Sequence, residues 1–200
     1  MKNETVRAYN DHAGAYDAET VGFWDGFPPE VLNEFRKRAR GDLILNVGSG
    51  PGRDAKLLRD KGFEVVCLDA SDAMIEMTRR DGFRSVRSDF RHMDFPPEFF
   101  SGVWAYTSII HASKPELPGV LGRIRRMLRK DGVFLIGFIE GEGEGFESRD
   151  SMPGSQRYFS YYSGDDLKNV VESVGFRRVY AGEYVPNRRK YIHHIYEKVE

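Results

Sequence analysis

Gly48, Gly50 and Gly52 close an apolar run, Leu43-Ile44-Leu45-Asn46-Val47, and a helical pattern starts at Arg53. Such a turn lets backbone N–H groups approach a ligand closely, because glycine has no Cβ to block it. A second apolar run, Phe63-Glu64-Val65-Val66-Cys67-Leu68, ends in Asp69, about twenty residues beyond Gly48. That is where nucleotide-binding α/β folds hold a ribose diol with a carboxylate. The spacing G-x-G-x-G, followed by the bulky Arg53, departs from the dinucleotide fingerprint G-x-G-x-x-G/A and lacks the Lys-Ser/Thr ending of a P-loop. It argues against a pyrophosphate on the helix start. A nicotinamide-dependent oxidoreductase is disfavoured on the same ground.

The elements that must position these residues alternate between apolar strands and helix-period segments, the pattern of an α/β doubly wound sheet with helices on both faces. Strands are expected at 43–47, 63–68, 83–87, 100–106, 133–139, 176–184 and 190–197. Helices are expected at about 53–60, 72–80, 115–129 and 164–173, with two more ahead of the first strand at about 3–17 and 28–39. Ser113-Lys114-Pro115-Glu116 reads as a capping box and Gly132 as a C-cap. Ser71 and Asp72 suffice to cap the helix after Asp69, which leaves that carboxylate for a ligand. The segment Glu140-Gly141-Glu142-Gly143-Glu144-Gly145 reads as a mobile acidic loop. In a doubly wound sheet, ligands bind outside the carboxyl ends of the strands, and the glycine turn, Asp69, Asp89-Phe90 and Tyr106 to His111 all fall there.

These motifs resemble those of the class I S-adenosylmethionine-dependent methyltransferases of small-molecule type, and the likeness runs from Tyr9 to the last strand pair. Residues 46–52 resemble the family's motif D/E-x-G-x-G-x-G. Phe99-Phe100-Ser101-Gly102-Val103-Trp104-Ala105 resembles its fourth-strand motif, and Leu128-Arg129-Lys130-Asp131-Gly132-Val133-Phe134-Leu135 the segment before its fifth strand. The resemblance implies a Rossmann-like, seven-stranded mixed sheet of order 3-2-1-4-5-7-6 with strand 7 antiparallel. It implies a single domain over 1–200, with 1–41 a helical cap on the cofactor site and 42–200 the core. S-adenosyl-L-methionine would be the cofactor and S-adenosyl-L-homocysteine the product. Gly48, Ser49 and Gly50 would line its methionine part, and Asp69 would hold the ribose hydroxyls. Ala70 and Met74 would flank the adenine, Asp89 would accept from the adenine amino group with Phe90 beside it, and Tyr106 would offer its backbone below the sulfonium. Tyr9 and Tyr16, seven apart on one helix face, resemble the paired tyrosines that close over the cofactor. Asn46 stands where the family has Asp or Glu, and it offers the cofactor's ammonium only a neutral acceptor.

Transfer from a sulfonium is a direct in-line displacement, so positioning can supply much of the acceleration and a base is needed only if the acceptor must lose a proton. His111 is the candidate base, since imidazole titrates near neutral pH. A structural role in ordering its loop is the competing reading. Tyr158, Tyr161 and Tyr162, with Phe23 and Trp24, are expected to wall an aromatic acceptor pocket suited to a small apolar or cationic molecule. Arg53 or Arg157 would instead receive a carboxylate.

Two hundred residues with 40% hydrophobic and 30% charged content suit one globular domain, and a formal charge of −1 supplies no field to recruit nucleic acid or an anionic membrane. Arg123, Arg125, Arg126, Arg129 and Lys130 read as a solvated helix face. Cys67 is the single cysteine, so no disulfide forms within the chain. No metal site is expected, because His12, His92, His193 and His194 lack ligand spacing with carboxylates; all four read as surface or core residues. The expectation is a cytoplasmic monomer or homodimer acting on a small molecule. A catalytically silent S-adenosylmethionine-binding module, and an RNA or protein methyltransferase, are the alternatives.

Overall fold

The computed structural model describes residues 2–186 and 188–199. Its main sheet contains β1 (Leu43–Val47), β2 (Glu64–Asp69), β3 (Arg84–Arg87), β4 (Phe100–Tyr106) and β5 (Leu128–Ile139). An inserted hairpin, β6 (Glu144–Ser148) and β7 (Gln156–Ser160), precedes its last two strands, β8 (Phe176–Tyr184) and β9 (Tyr191–Lys198). The order is β3-β2-β1-β4-β5-β9-β8, with β9 antiparallel to β5 and β8. Once the hairpin is counted, this is the order and orientation expected from the sequence.

The central strands are largely apolar because both faces of the sheet are covered. Leu45, Val103 and Phe134 pack on one face, while their neighbours Ile44, Trp104 and Leu135 pack on the other. At ~1.5–3 kcal/mol for each fully buried large apolar side chain, this double layer fixes the strand ends that carry the site. The helices are α1 (Lys2–Asp11), α2 (Ala13–Asp25), α3 (Pro29–Arg38), α4 (Arg53–Asp60), α5 (Asp72–Arg80), α6 (Leu117–Met127) and α7 (Gly164–Glu172). Ser71 and Ser163 cap α5 and α7, accepting from the Met74 and Asp166 N–H groups. Arg123 and Arg126 are exposed on α6, opposite a buried stripe of Val120, Leu121, Ile124 and Met127. Half-buried Arg125 instead donates to the Gly175 and Val199 carbonyls, and Arg129 and Lys130 fall in β5 and not on the helix.

Four expectations are corrected. The first helical stretch is two helices separated at His12, so Tyr9 and Tyr16 sit on different helices, and α2 runs on to Asp25. Gly132 is not a C-cap: α6 ends at Met127, and β5 already includes Gly132 after a left-handed Asp131 at φ 60°. The Ser113–Glu116 box forms the turn ahead of α6, with the Glu116 carboxylate accepting from the Ser113 N–H and hydroxyl. The acidic glycine segment is not a free loop. Its end enters β6, which pairs antiparallel with β7, and Phe146 packs edge-on against Tyr158, 5.3 Å between centroids. Backbone pairing and that aromatic contact outweigh its charge.

Candidate active site

At the carboxyl end of β1, the Gly48 and Ser49 N–H groups donate to the Leu68 carbonyl at 2.7 and 3.0 Å, tying the glycine turn to β2. Gly48 has φ +66°, and a Cβ there would lie 2.2 Å from the Ser108 Cβ, so the turns after β1 and β4 close on each other only because position 48 is glycine. The Gly50 N–H donates to Asp69 Oδ2 at 2.9 Å and the Ser71 N–H to Oδ1 at 2.8 Å. Each carboxylate oxygen keeps acceptor capacity for a ligand hydroxyl. Burial pushes the Asp69 carboxyl up from its ordinary value, against the pull of those backbone donors.

All the residues expected to touch the cofactor line one cavity of about 720 Å³: Tyr9, Tyr16, Gly48, Ser49, Gly50, Asp69, Ala70, Met74, Asp89, Phe90 and Tyr106, with His111 among them. The volume lies within the ~300–1,000 Å³ of small-molecule sites. Arg91 holds Asp89, donating from Nη1 to both carboxylate oxygens at 3.2 Å, and its Nη2 donates to the His111 carbonyl. Phe23, Trp24 and Tyr158 line the cavity as expected, but Tyr161 and Tyr162 do not. The Tyr162 ring turns into the core against Phe138, and the Tyr161 hydroxyl donates to Glu147. Phe159 takes the wall position instead.

The helical cap is clasped at both sides of the cavity. Asn10 Oδ1 on α1 accepts from the Ser71 hydroxyl at 2.7 Å and the Ala73 N–H at 3.2 Å, while Thr5 Oγ1 accepts from the Tyr158 N–H at 3.0 Å. Tyr9 and Tyr16 meet edge-to-face at 5.1 Å beneath this roof. Arg53 is committed to α2, pairing with Asp17 at 2.8 Å.

His111 ends a short 3-10 turn, Ile109–His111, after β4. Its Nδ1 bonds the Tyr158 carbonyl, which requires the proton on Nδ1, so the Tyr9 hydroxyl donates to Nε2 at 2.9 Å. Burial pushes the imidazole down to about 3. Its ring is therefore neutral, with both nitrogens engaged.

Asn46 is fully buried and does not line the cavity; its Nδ2 donates at 2.8 Å to Asp54 Oδ1, and Asp54 does line it. Burial pushes the Asp54 carboxyl up to about 7. His193 and His194 are buried in β9, His92 is exposed, and His12 bonds the Ser155 hydroxyl at 3.1 Å. Among the described residues, no group of three or more His, Cys, Asp and Glu is placed to hold a metal ion, and no helix is long and apolar enough to cross a membrane. Sequence reasoning did not find Arg91, Ser108 or Arg149, which also line the cavity. Arg91, two residues after Asp89, had a positional signal; Arg149, in a stretch without periodicity, had none.

Residues 45–136 match the family described as "Methyltransferase domain". The sterol 24-C-methyltransferase of Eremothecium gossypii is 37% identical over 105 residues, 48% of this chain and 28% of that protein. The sterol 24-C-methyltransferase of Yarrowia lipolytica is 36% identical over 158 residues, 68% of this chain and 39% of that protein. The matched stretch thus spans well under half the length of these curated relatives. Among solved structures, the 1,6-didemethyltoxoflavin-N1-methyltransferase of Burkholderia thailandensis, with 1,6-didemethyltoxoflavin and S-adenosylhomocysteine bound, has a TM-score of 0.75 at 19% identity, covering 100% of this chain and 90% of that one. The DhpI–S-adenosylhomocysteine complex has a TM-score of 0.79 at 18% identity, covering 98% and 96%. The sheet order and these neighbours define the class I methyltransferase fold. Residues 45–136 thus match a methyltransferase domain family, on a chain with that fold.

Proposed function

We propose that the protein is an S-adenosyl-L-methionine-dependent methyltransferase acting on a small molecule, with S-adenosyl-L-homocysteine as its product. The observation that carries this reading is the convergence, in one cavity, of the Asp69 carboxylate, the left-handed Gly48–Gly50 turn and the Tyr9–Tyr16 roof. The buried hydroxyls of Ser49 and Ser108, which have no partner among the described residues and line the same cavity, fit a polar ligand there. Asp69 would hold the ribose diol, Asp89 and Phe90 the adenine, Ala70 and Met74 its flanks, and the glycine turn the methionine part. When bound, the cofactor supplies a methyl group already activated on a sulfonium.

The chain's own contribution is orientation and exclusion of water. The aromatic set Phe23, Trp24 and Tyr106, with ring centroids 5.5–5.9 Å apart across Tyr106, gives the acceptor side a dry wall. His111 acts here as a positioning residue: with Nε2 accepting from Tyr9 and Nδ1 donating to Tyr158, it joins α1 to β7. Residues 1–41 serve as the cap and 42–200 as the core. Cytoplasmic residence as a monomer or homodimer completes the reading.

Calorimetric titration with S-adenosylmethionine, S-adenosylhomocysteine and NAD(P) tests it. Micromolar binding of the first two alone supports the cofactor, and turnover over an acceptor panel then separates an enzyme from a silent binding module. NAD(P) binding, or binding of none of them, would sink the proposal.

A further inference from the structure

Arg157 is only 4% exposed, yet its positive charge has no carboxylate partner among the described residues. Its Nη1 donates to the Tyr9 hydroxyl at 3.2 Å, and its guanidinium lies 5.3 Å from the centroids of both Tyr9 and Phe159. Those contacts are neutral. Arg53, the other sequence candidate for receiving a carboxylate, is answered by Asp17 at 2.8 Å. Arg91 is answered by Asp89 and Glu116, and Arg149 by Glu147 at 3.4 Å. Arg157 is thus more deeply buried than Arg53, Arg91 and Arg149 yet lacks the counter-charge that each of them has, and a buried unpaired charge is costly enough to call for one from a ligand.

Its placement says which ligand. The glycine turn follows β1, Asp69 ends β2 and Asp89 follows β3, whereas Arg157 comes from β7 of the inserted hairpin, beside Tyr158 and Phe159. Arg149, the first residue after β6, stands on the same ring: its guanidinium lies 3.8 Å from the Phe159 centroid, and its buried Nε has no hydrogen-bond partner among the described residues. Asp150 also lines the cavity but makes no ion pair with Arg157. We propose that the methyl acceptor carries a carboxylate, seated on Arg157 with Arg149 beside it, and an apolar or aromatic body against Phe159, Phe23 and Trp24. This rests on the methyltransferase reading above. A guanidinium offers a carboxylate two parallel donors, and the surrounding rings exclude the water that would otherwise screen the pair.

The test uses the full chain saturated with S-adenosylhomocysteine, so that the cofactor's own carboxylate is already in place. Acetate, benzoate and 4-hydroxycinnamate are titrated by calorimetry and by NMR, each against its neutral amide. At least one acid is expected to bind tenfold or more tightly than its amide. Arg157→Gln should remove that preference, Arg157→Lys should keep part of it, and both should leave amide binding within about threefold. Circular dichroism and unchanged amide binding show that the variants are folded. Equal binding of acids and amides, or no binding of any acid, overturns the proposal. So does acid binding only without S-adenosylhomocysteine, together with a tenfold loss of S-adenosylhomocysteine affinity in Arg157→Gln; the anion would then be the cofactor's. Failure of the wild type to bind S-adenosylhomocysteine is a different result: it removes the methyltransferase reading, and the acid-over-amide comparison is then decided on the protein alone.

Discussion

Asp54 should make the protein less stable as pH rises towards 7, and Asp54→Asn should remove that dependence. The side chain is 4% exposed, accepts from Asn46 Nδ2 and the Ala55 N–H, and has no cation beside it, so burial dominates and raises its carboxyl from 3.8 to about 7. A raised folded-state value means that the folded protein holds this proton more tightly than the unfolded chain. The stabilisation is fully present below 3.8 and is lost as pH climbs to 7. Each pH unit in that window costs about 1.4 kcal/mol, so the loss between pH 5 and 8 is about 3 kcal/mol. His193 and His194, lowered by burial to about 4, act in the opposite sense: their contribution is present above 6.5 and lost as pH falls towards 4. The useful quantity is therefore the difference between the two proteins, in which the histidine contributions cancel. Differential scanning calorimetry from pH 5 to 8 should show the Tm of Asp54→Asn gaining on the wild type by roughly 6–12 °C across the range. A difference that stays constant with pH, or that shrinks, would refute the assignment of a buried, unpaired acid at this position.

Asp69→Ala should weaken S-adenosylhomocysteine binding at least tenfold by calorimetry, since it removes a charge-assisted acceptor worth roughly 1.5–3 kcal/mol; wild-type affinity would refute the ribose assignment. His111→Ala should lower cofactor affinity as well as turnover, because it releases Tyr9 and Tyr158 together, and turnover should show no inflection near pH 6.5 from a group lowered to about 3. Loss of turnover alone, with a step near 6.5, would restore His111 as the base. Removing residues 1–20 should weaken cofactor binding while the core still melts cooperatively, and Asn10→Ala should reproduce part of that loss through its contacts to Ser71 and Ala73; unchanged affinity in both would dismiss the cap. Gly48→Ala should destabilise the fold by several kcal/mol in denaturant titrations, given φ +66° and the 2.2 Å approach to Ser108; a change below about 1 kcal/mol would show that the two turns can part.

The parts of this protein that were legible in its sequence are those where one physical demand dominates. β1 and β4 fall at 43–47 and 100–106, as expected, and α4 and α5 at 53–60 and 72–80, because double-sided burial or a single apolar stripe leaves little choice of element. The cofactor side was legible for the same reason: a strand end, a glycine turn and an acid at the next strand end follow from the sheet itself. The two helices of the cap merged in the reading because α2 carries no buried residue and hence no stripe to mark where it begins or ends. The hairpin was missed because Glu142, Glu144 and the glycines around them hide a pairing that only β7, about a dozen residues further on, can supply. Yet the hairpin brings Tyr158 to His111, Thr5 to the roof and Arg157 to the cavity wall. Segments released from the periodic demands of a core are also those free to vary the acceptor side without disturbing the sheet. Asn46 shows the converse within the core. Read alone, it suggested a weakened cofactor site; in the fold its amide is turned away from the cavity, onto Asp54. Asp54, the second residue of α4, lines the cavity, so an acidic side chain still stands at its wall beside the β1 turn.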